Sequence, residues 1–140
     1  VELKFPEEVY NKALQSKLSM LERLTGMSQD VLRVGSGVGI ARTYRILVDA
    51  YAHVGNAVAE FTPVGKSPEY VQSFRGSMGQ VAVPLKAKAQ EFRMLALSKA
   101  KSEDILSQDI NYLLTLDRVP FGVEYYPPNE GVVMDRGGAQ

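Results

Sequence analysis

Residues 38–61 carry the clearest hydrophobic pattern in the chain, with apolar positions that recur at the period of an α-helix. Two apolar flanks of this predicted helix enclose a narrow polar stripe. The main apolar flank holds Tyr44, Leu47, Val48, Tyr51, Val58 and Phe61. The polar stripe holds Arg42, Arg45, Asp49, His53, Asn56 and Glu60. A helix with two apolar flanks needs neighbours on both, so the pattern predicts a central helix packed between other helices.

The N-terminal segment predicts one long helix that ends at a glycine-rich turn. Pro6 suits a first helical position, and leucines spaced by three and four residues favour a continuous helix to about Val34. Gly-Ser-Gly at 35–37 interrupts the pattern, and Ser36 has a side chain suited to N-cap the central helix.

Two more helices are predicted after the central one. Ser67 and Pro68 suit the N-cap and first turn of a long third helix, in which Pro84 predicts a bend. A short fourth helix is predicted over 103–116, with Ser102 as its N-cap.

These elements define an all-α fold of three to four long helices. Long helices joined by short turns are typical of a helix bundle or of a tetratricopeptide-like α-solenoid fragment. We therefore expect a helical domain over 1–118. The proline- and glycine-rich composition of 119–140 predicts an extended C-terminal tail.

Composition narrows the range of partners. Lysine and arginine number 16, as do aspartate and glutamate, so the formal net charge is zero and binding to a nucleic-acid backbone is not expected. No stretch is long and apolar enough to predict a membrane span. The chain has no cysteine and one histidine, and we expect neither a metal nor another cofactor.

Two features invite a chemical interpretation, and each has a plainer one. The turn at 35–39 resembles a phosphate-binding loop only in its glycines, because Ile40 stands where a dinucleotide fingerprint needs glycine. A helix-to-helix turn explains it better, although a helix N-terminus there could hold an anion. Asp49 lies one turn before His53, but no nucleophile shares their stripe, so catalysis by this pair is not expected.

The polar stripe has two interpretations. It can be a solvated face carrying pairs of opposite charge at helical spacing. It can also be a recognition surface for another protein or peptide, flanked by aromatic residues of the kind found in binding hot spots. On the second interpretation the binding residues are Arg42, Tyr44, Arg45, Asp49, Tyr51, His53 and Asn56.

The sequence of residues 33–130 resembles that of periplasmic tetratricopeptide-repeat scaffold proteins of gliding and predatory Gram-negative bacteria. The resemblance rests on the glycine-rich turn, the core of the central helix, the proline-containing loop and the proline in the third helix. The matching residues are Gly35, Ser36, Gly37, Tyr44, Arg45, Ile46, Ala50, Tyr51, Pro63, Ser67, Phe74, Arg75, Pro84, Leu85, Lys88 and Ala89. It implies an α-solenoid segment, a periplasmic or cell-envelope location and a role in protein–protein scaffolding, and it brings no catalytic residues.

The leading hypothesis is therefore a non-enzymatic scaffold or adaptor that uses the groove beside the central helix. The alternative is a structural module that self-associates through the apolar face of the third helix, as in a coiled coil. A small-ligand or anion binder at the glycine-rich turn is a third class.

Overall fold

In the computed structural model the described residues, 7–116, form four α-helices. These are α1 (Glu7–Val34), α2 (Gly37–Glu60), α3 (Pro68–Glu103) and α4 (Gln108–Thr115). Helix accounts for 87% of this part of the chain, which contains no strand, so the all-α prediction is confirmed. The predicted tail at 119–140 lies outside the described residues, and the division of the chain at residue 118 stays a prediction.

The first three helices begin and end close to where the sequence pattern predicts. α1 runs unbroken to Val34, and the amide of Gly35 then donates to the carbonyl of Val31 over 2.8 Å. Ser36 caps α2 by accepting from the amide of Gly39 over 3.3 Å, and Ser67 caps α3 in the same way. α3 stays helical across Pro84, where the predicted bend stays a prediction.

The prediction for the fourth helix was wrong at its N-terminus. α3 continues to Glu103, and Asp104 ends it in the left-handed region with φ of 52°, its amide donating to the carbonyl of Ala100. Ser102 is therefore inside α3 and not a cap. α4 begins only after Ser107, whose hydroxyl accepts from the amide of Ile110 over 3.3 Å.

α2 lies in the middle of the fold and packs against each of the other three helices, as its two apolar flanks predict. Tyr10 of α1 contacts Phe61 just beyond α2, whereas Thr25 contacts Tyr51, so α1 and α2 run antiparallel. Phe74 near the start of α3 also contacts Phe61, so α3 is antiparallel to α2 as well.

The interior consists of two clusters of buried side chains, one at each end of the three-helix layer. The first cluster joins α1 to the C-terminal half of α2 and the N-terminal half of α3, around the fully buried Tyr10. The second joins the N-terminal half of α2 to the C-terminal half of α3 and to α4, around Leu47 and Leu113. α4 therefore completes the core at the end where α2 begins.

The apolar face of α3 is covered by the chain itself. Its buried residues belong to the two clusters: Ala82, Ala89, Phe92, Ala96 and Ala100. The hypothesis that this face pairs with a second copy therefore has no support in the structure.

Candidate functional site

The polar stripe predicted along α2 is present, and α4 divides it into two halves. Arg42, Arg45 and Asp49 form the first half, where side chains of α4 contact all three. His53 and Asn56 lie in the second half and are exposed, as is Glu60 at the end of the helix. One half is therefore used inside the molecule, and the other faces solvent.

The first half is organised around a buried carboxylate. Asp109 is in the first turn of α4, and only 5% of its side chain is exposed. Nη1 of Arg45 donates to its Oδ1 over 3.1 Å, and Nε of Arg42 lies 3.8 Å from its Oδ2. A buried carboxylate costs free energy unless it is paired, so these two arginines allow α4 to dock.

Tyr112, one turn further along α4, makes the second attachment. Its hydroxyl donates to Oδ1 of Asp49 over 2.7 Å, and the guanidinium of Arg45 lies over its ring, 4.0 Å from the centroid. The hydrogen bond to the Asp49 carboxylate, followed by burial, raises the pKa of Tyr112. The Arg45 charge opposes this shift but does not overcome it.

The two tyrosines of the predicted surface lie on another side of α2. Tyr44 and Tyr51 are half-buried, with ring centroids 6.3 Å and 5.5 Å from that of Phe92 in α3. The hydroxyl of Tyr51 also shares a 2.9 Å hydrogen bond with that of Thr25 in α1. The structure thus does not bring them together with the stripe, and a role for either in binding stays a prediction.

Sequence reasoning missed Asp109 and Tyr112, which complete the network. Arg42 and Arg45 of α2 contact Asp109 of α4. Asp49 of α2 contacts Tyr112, which lies one turn beyond Asp109 on α4. The spacing of Asp109 and Tyr112 was a visible signal. They are three residues apart, about one helical turn, and Arg45 and Asp49 on α2 are four apart, so the two pairs can face each other. The sequence pattern does not, however, predict that α2 and α4 pack against each other.

The remaining chemical interpretations gain no support from the geometry. Asp49 directs its carboxylate to Tyr112 and, over 3.8 Å, to Arg45. The serine of the glycine-rich turn caps α2. Between residues 7 and 116 no group of three histidine, aspartate or glutamate side chains is placed to ligate a metal ion. Within the same range, no helix combines the length and the apolar character that crossing a bilayer would require.

Comparison with known proteins gave no match to any family model, to any curated protein or to any solved structure. The resemblance to tetratricopeptide-repeat scaffolds stays an expectation from the sequence.

Proposed function

We propose that this chain is a non-enzymatic protein-interaction module, a scaffold or adaptor that holds a peptide segment along the polar stripe of α2. One observation carries the proposal. A short helix, α4, already occupies half of the stripe through an acid and a tyrosine, and the other half continues beyond it in solvent.

The occupied half indicates the kind of ligand that such a surface accepts. α4 is only eight residues long, and it presents its polar contacts at positions 109 and 112. Short helices of this kind are marginal alone in water and form when they dock. A short helical segment of a partner protein that presents polar side chains one turn apart would dock on the exposed half in the same way.

The exposed half favours a partner with hydrogen-bond donors. Asn56 offers an amide, His53 an imidazole and Glu60 a carboxylate, all at helical spacing on one side of α2. Glu60 suits a lysine, arginine or hydroxyl group, in contrast to the acidic residue that the two arginines bind.

A tetratricopeptide-like architecture and an envelope location form part of the same proposal. The antiparallel layer of α1, α2 and α3 is compatible with repeat units that stack side by side, since each long helix turns back on the one before it. The location rests on the resemblance alone.

The test is capture of a native partner from cells of the source organism by the wild-type chain and by Asn56→Arg/Glu60→Arg. Both positions are exposed, so the double variant should keep its fold, as circular dichroism checks. We expect the variant to lose the captured protein. Reconstitution with that purified protein should then show a large loss of affinity.

Glu22→Arg/Gln29→Arg is the matched control, because it adds the same two arginines to exposed positions of α1. It should capture the partner as the wild type does. Equal capture by all three proteins would show that the α2 stripe is not the binding surface.

A further inference from the structure

The turn that joins α3 to α4 has a conformation that its sequence does not favour. Asp104 ends α3 with a φ of 52°, the one positive φ of a non-glycine residue within residues 7–116. Glycine adopts this left-handed conformation without the steric penalty of a Cβ atom. Neither glycine nor proline occurs between residues 85 and 119, so no helix-breaking residue stops α3 from continuing. The turn at 104–107 therefore depends on the docking of α4 more than on turn-forming residues.

Leu106 lies in this turn and is 91% exposed, although it is a large apolar residue. It precedes Ile110 by four residues and Leu113 by seven, and both of these are buried in the core. In a helix that continued from α3 through α4, this spacing would place the three side chains on one face. A straight helix thus gives Leu106 a place in an apolar face that the turn denies it.

α4 runs back along α3 after the turn. Nε of Arg93 in α3 donates to the carbonyl of Leu113 over 2.7 Å, and Leu113 packs in the same cluster as Ala96. Position 103 is midway between 93 and 113. Two straightened α3–α4 helices, antiparallel about position 103, therefore place Leu113 of each copy beside Arg93 of the other. The register of α4 against α3 is kept when α4 comes from a second copy.

The contacts of α4 with α2 can be kept in the same way. Asp109 pairs with Arg45, and Tyr112 donates to Asp49, through side chains that belong to α4 and α2 alone. These contacts require α4 in its place, whichever copy supplies it. The structure thus already shows the segment that would fill the site, and only the residues of the hinge at 104–107 change their surroundings.

We infer that two copies of the chain exchange α4, forming a domain-swapped dimer in which α3 and α4 of each copy are one straight helix. Each copy then supplies Asp109 and Tyr112 to the polar stripe of the other. The inference goes beyond the proposed function, whose test uses Asn56 and Glu60 and none of the residues changed below.

A pair of charge variants of the full chain tests the exchange. Arg45→Glu places an acid against Asp109, and Asp109→Arg places a base against Arg45, so each variant alone meets like charges in the closed and in the swapped form. In a mixture, exchange brings Asp109 of the first variant to Arg45 of the second, and the two new charges to each other. Arg42 can turn aside, since its side chain is 62% exposed.

The two variants are unfolded together in urea and refolded at high concentration, so that the opening of α4 does not limit exchange. Sedimentation should then show a heterodimer at least about tenfold tighter than the homodimer of either variant. Asp30→Arg and Arg33→Glu are the control pair, because these residues pair on the surface of α1, away from α4. Each should dimerise as the wild type does, and mixing them should bring no gain.

Variants of the hinge test its role. Asp104→Gly suits the turn and Asp104→Ala suits the straight helix, so the dimer of the alanine variant should be at least about tenfold tighter. Ser98→Gly and Ser98→Ala, at an exposed position that is helical in both forms, should dimerise equally.

Three results would overturn the inference. One is a wild-type chain that stays monomeric at every concentration after refolding. Another is a mixture of the Arg45 and Asp109 variants that gives no heterodimer, or variants that dimerise alone as strongly as the wild type. The third is equal dimerisation of Asp104→Gly and Asp104→Ala.

Discussion

The guanidinium of Arg45 and the carboxylate of Asp109 lie 3.1 Å apart across the interface of α2 and α4, with the acid buried and the base 36% exposed. This difference in burial makes the pair unequal. Removing the arginine leaves a buried carboxylate, whereas replacing the acid by its amide leaves a cation that still reaches solvent and Asp49. The two changes should therefore not cost the same free energy.

Arg45→Met should lower the free energy of unfolding by about 2 kcal/mol, less than the roughly 3–5 kcal/mol of a fully buried pair, because Arg45 is partly solvated. Asp109→Asn should cost about 1 kcal/mol, since the amide oxygen still accepts a hydrogen bond. Urea denaturation measures both. Arg33→Met is the control, because the Arg33–Asp30 pair is exposed and should contribute little. Equal losses for Arg45→Met and Asp109→Asn would contradict this account of the interface.

Tyr112 should make the stability of the chain fall at alkaline pH. Its pKa is raised by the hydrogen bond to Asp49 and by burial, so the folded state holds the phenol proton more tightly than the unfolded state does. The stability that Tyr112 adds is thus fully present below about pH 10 and is lost as the pH rises through the folded-state pKa.

The difference in unfolding free energy between wild type and Tyr112→Phe isolates this contribution. It should be constant at neutral pH and shrink above about pH 10. Comparison with the variant is needed because the pKa values of Tyr10, Tyr70 and Lys99 are raised too. A difference that stays constant to the highest pH tested would show that the hydrogen bond does not favour the protonated phenol.

The serine that begins α4 should matter more than the serine that the sequence favours. Ser107→Ala removes the acceptor for the amide of Ile110 and should cost about 1 kcal/mol. Ser102 is exposed in the last turn of α3 and donates to the carbonyl of Lys99, so Ser102→Ala should leave stability almost unchanged. Thermal unfolding of the two variants measures the difference. A larger loss for Ser102→Ala would place the N-terminus of α4 where the sequence predicts it.

The sequence predicts a helix end well where glycine or proline marks it. Ser36 stands between two glycines and Ser67 precedes a proline, and both cap the helices as predicted. Between α3 and α4 neither residue type occurs. Asp104 adopts the left-handed conformation that glycine usually provides, so the pattern hides the turn.

Tertiary contacts account for the two features that the sequence pattern did not predict, the end of the helix before Ile105 and the burial of Asp109. Ile105 has the spacing of a helical residue, yet it packs against the first residue of α2, where a Cβ at Gly37 would lie 3.1 Å from its Cγ1. From the sequence, Asp109 has the character of a surface acid. In the structure it is buried against two arginines of a helix more than sixty residues earlier in the chain. The helices and the stripe were therefore predictable, while the covering of the stripe by α4 was not.

The tight packing of α2 against α3 at Gly55 should be detectable as a coupling between Gly55 and Lys86. A Cβ at Gly55 would lie 3.0 Å from Cγ of Lys86 and 3.4 Å from Cβ of Leu85. Alanine gains about 1 kcal/mol over glycine inside a helix, but here the gain is opposed by crowding, so Gly55→Ala alone should change stability little.

Lys86→Ala removes the nearer obstacle, because alanine has no Cγ. In that background Gly55→Ala should raise the free energy of unfolding by roughly 0.5–1 kcal/mol, which a double-mutant cycle in urea measures. Gly76→Ala is the control: apart from Gly76, its two chain neighbours and the adjacent backbone of α3, no atom lies within 4 Å of its Cβ position, so it should have the same effect with and without Lys86. If Gly55→Ala also has the same effect in both backgrounds, Lys86 does not limit how closely α2 and α3 pack.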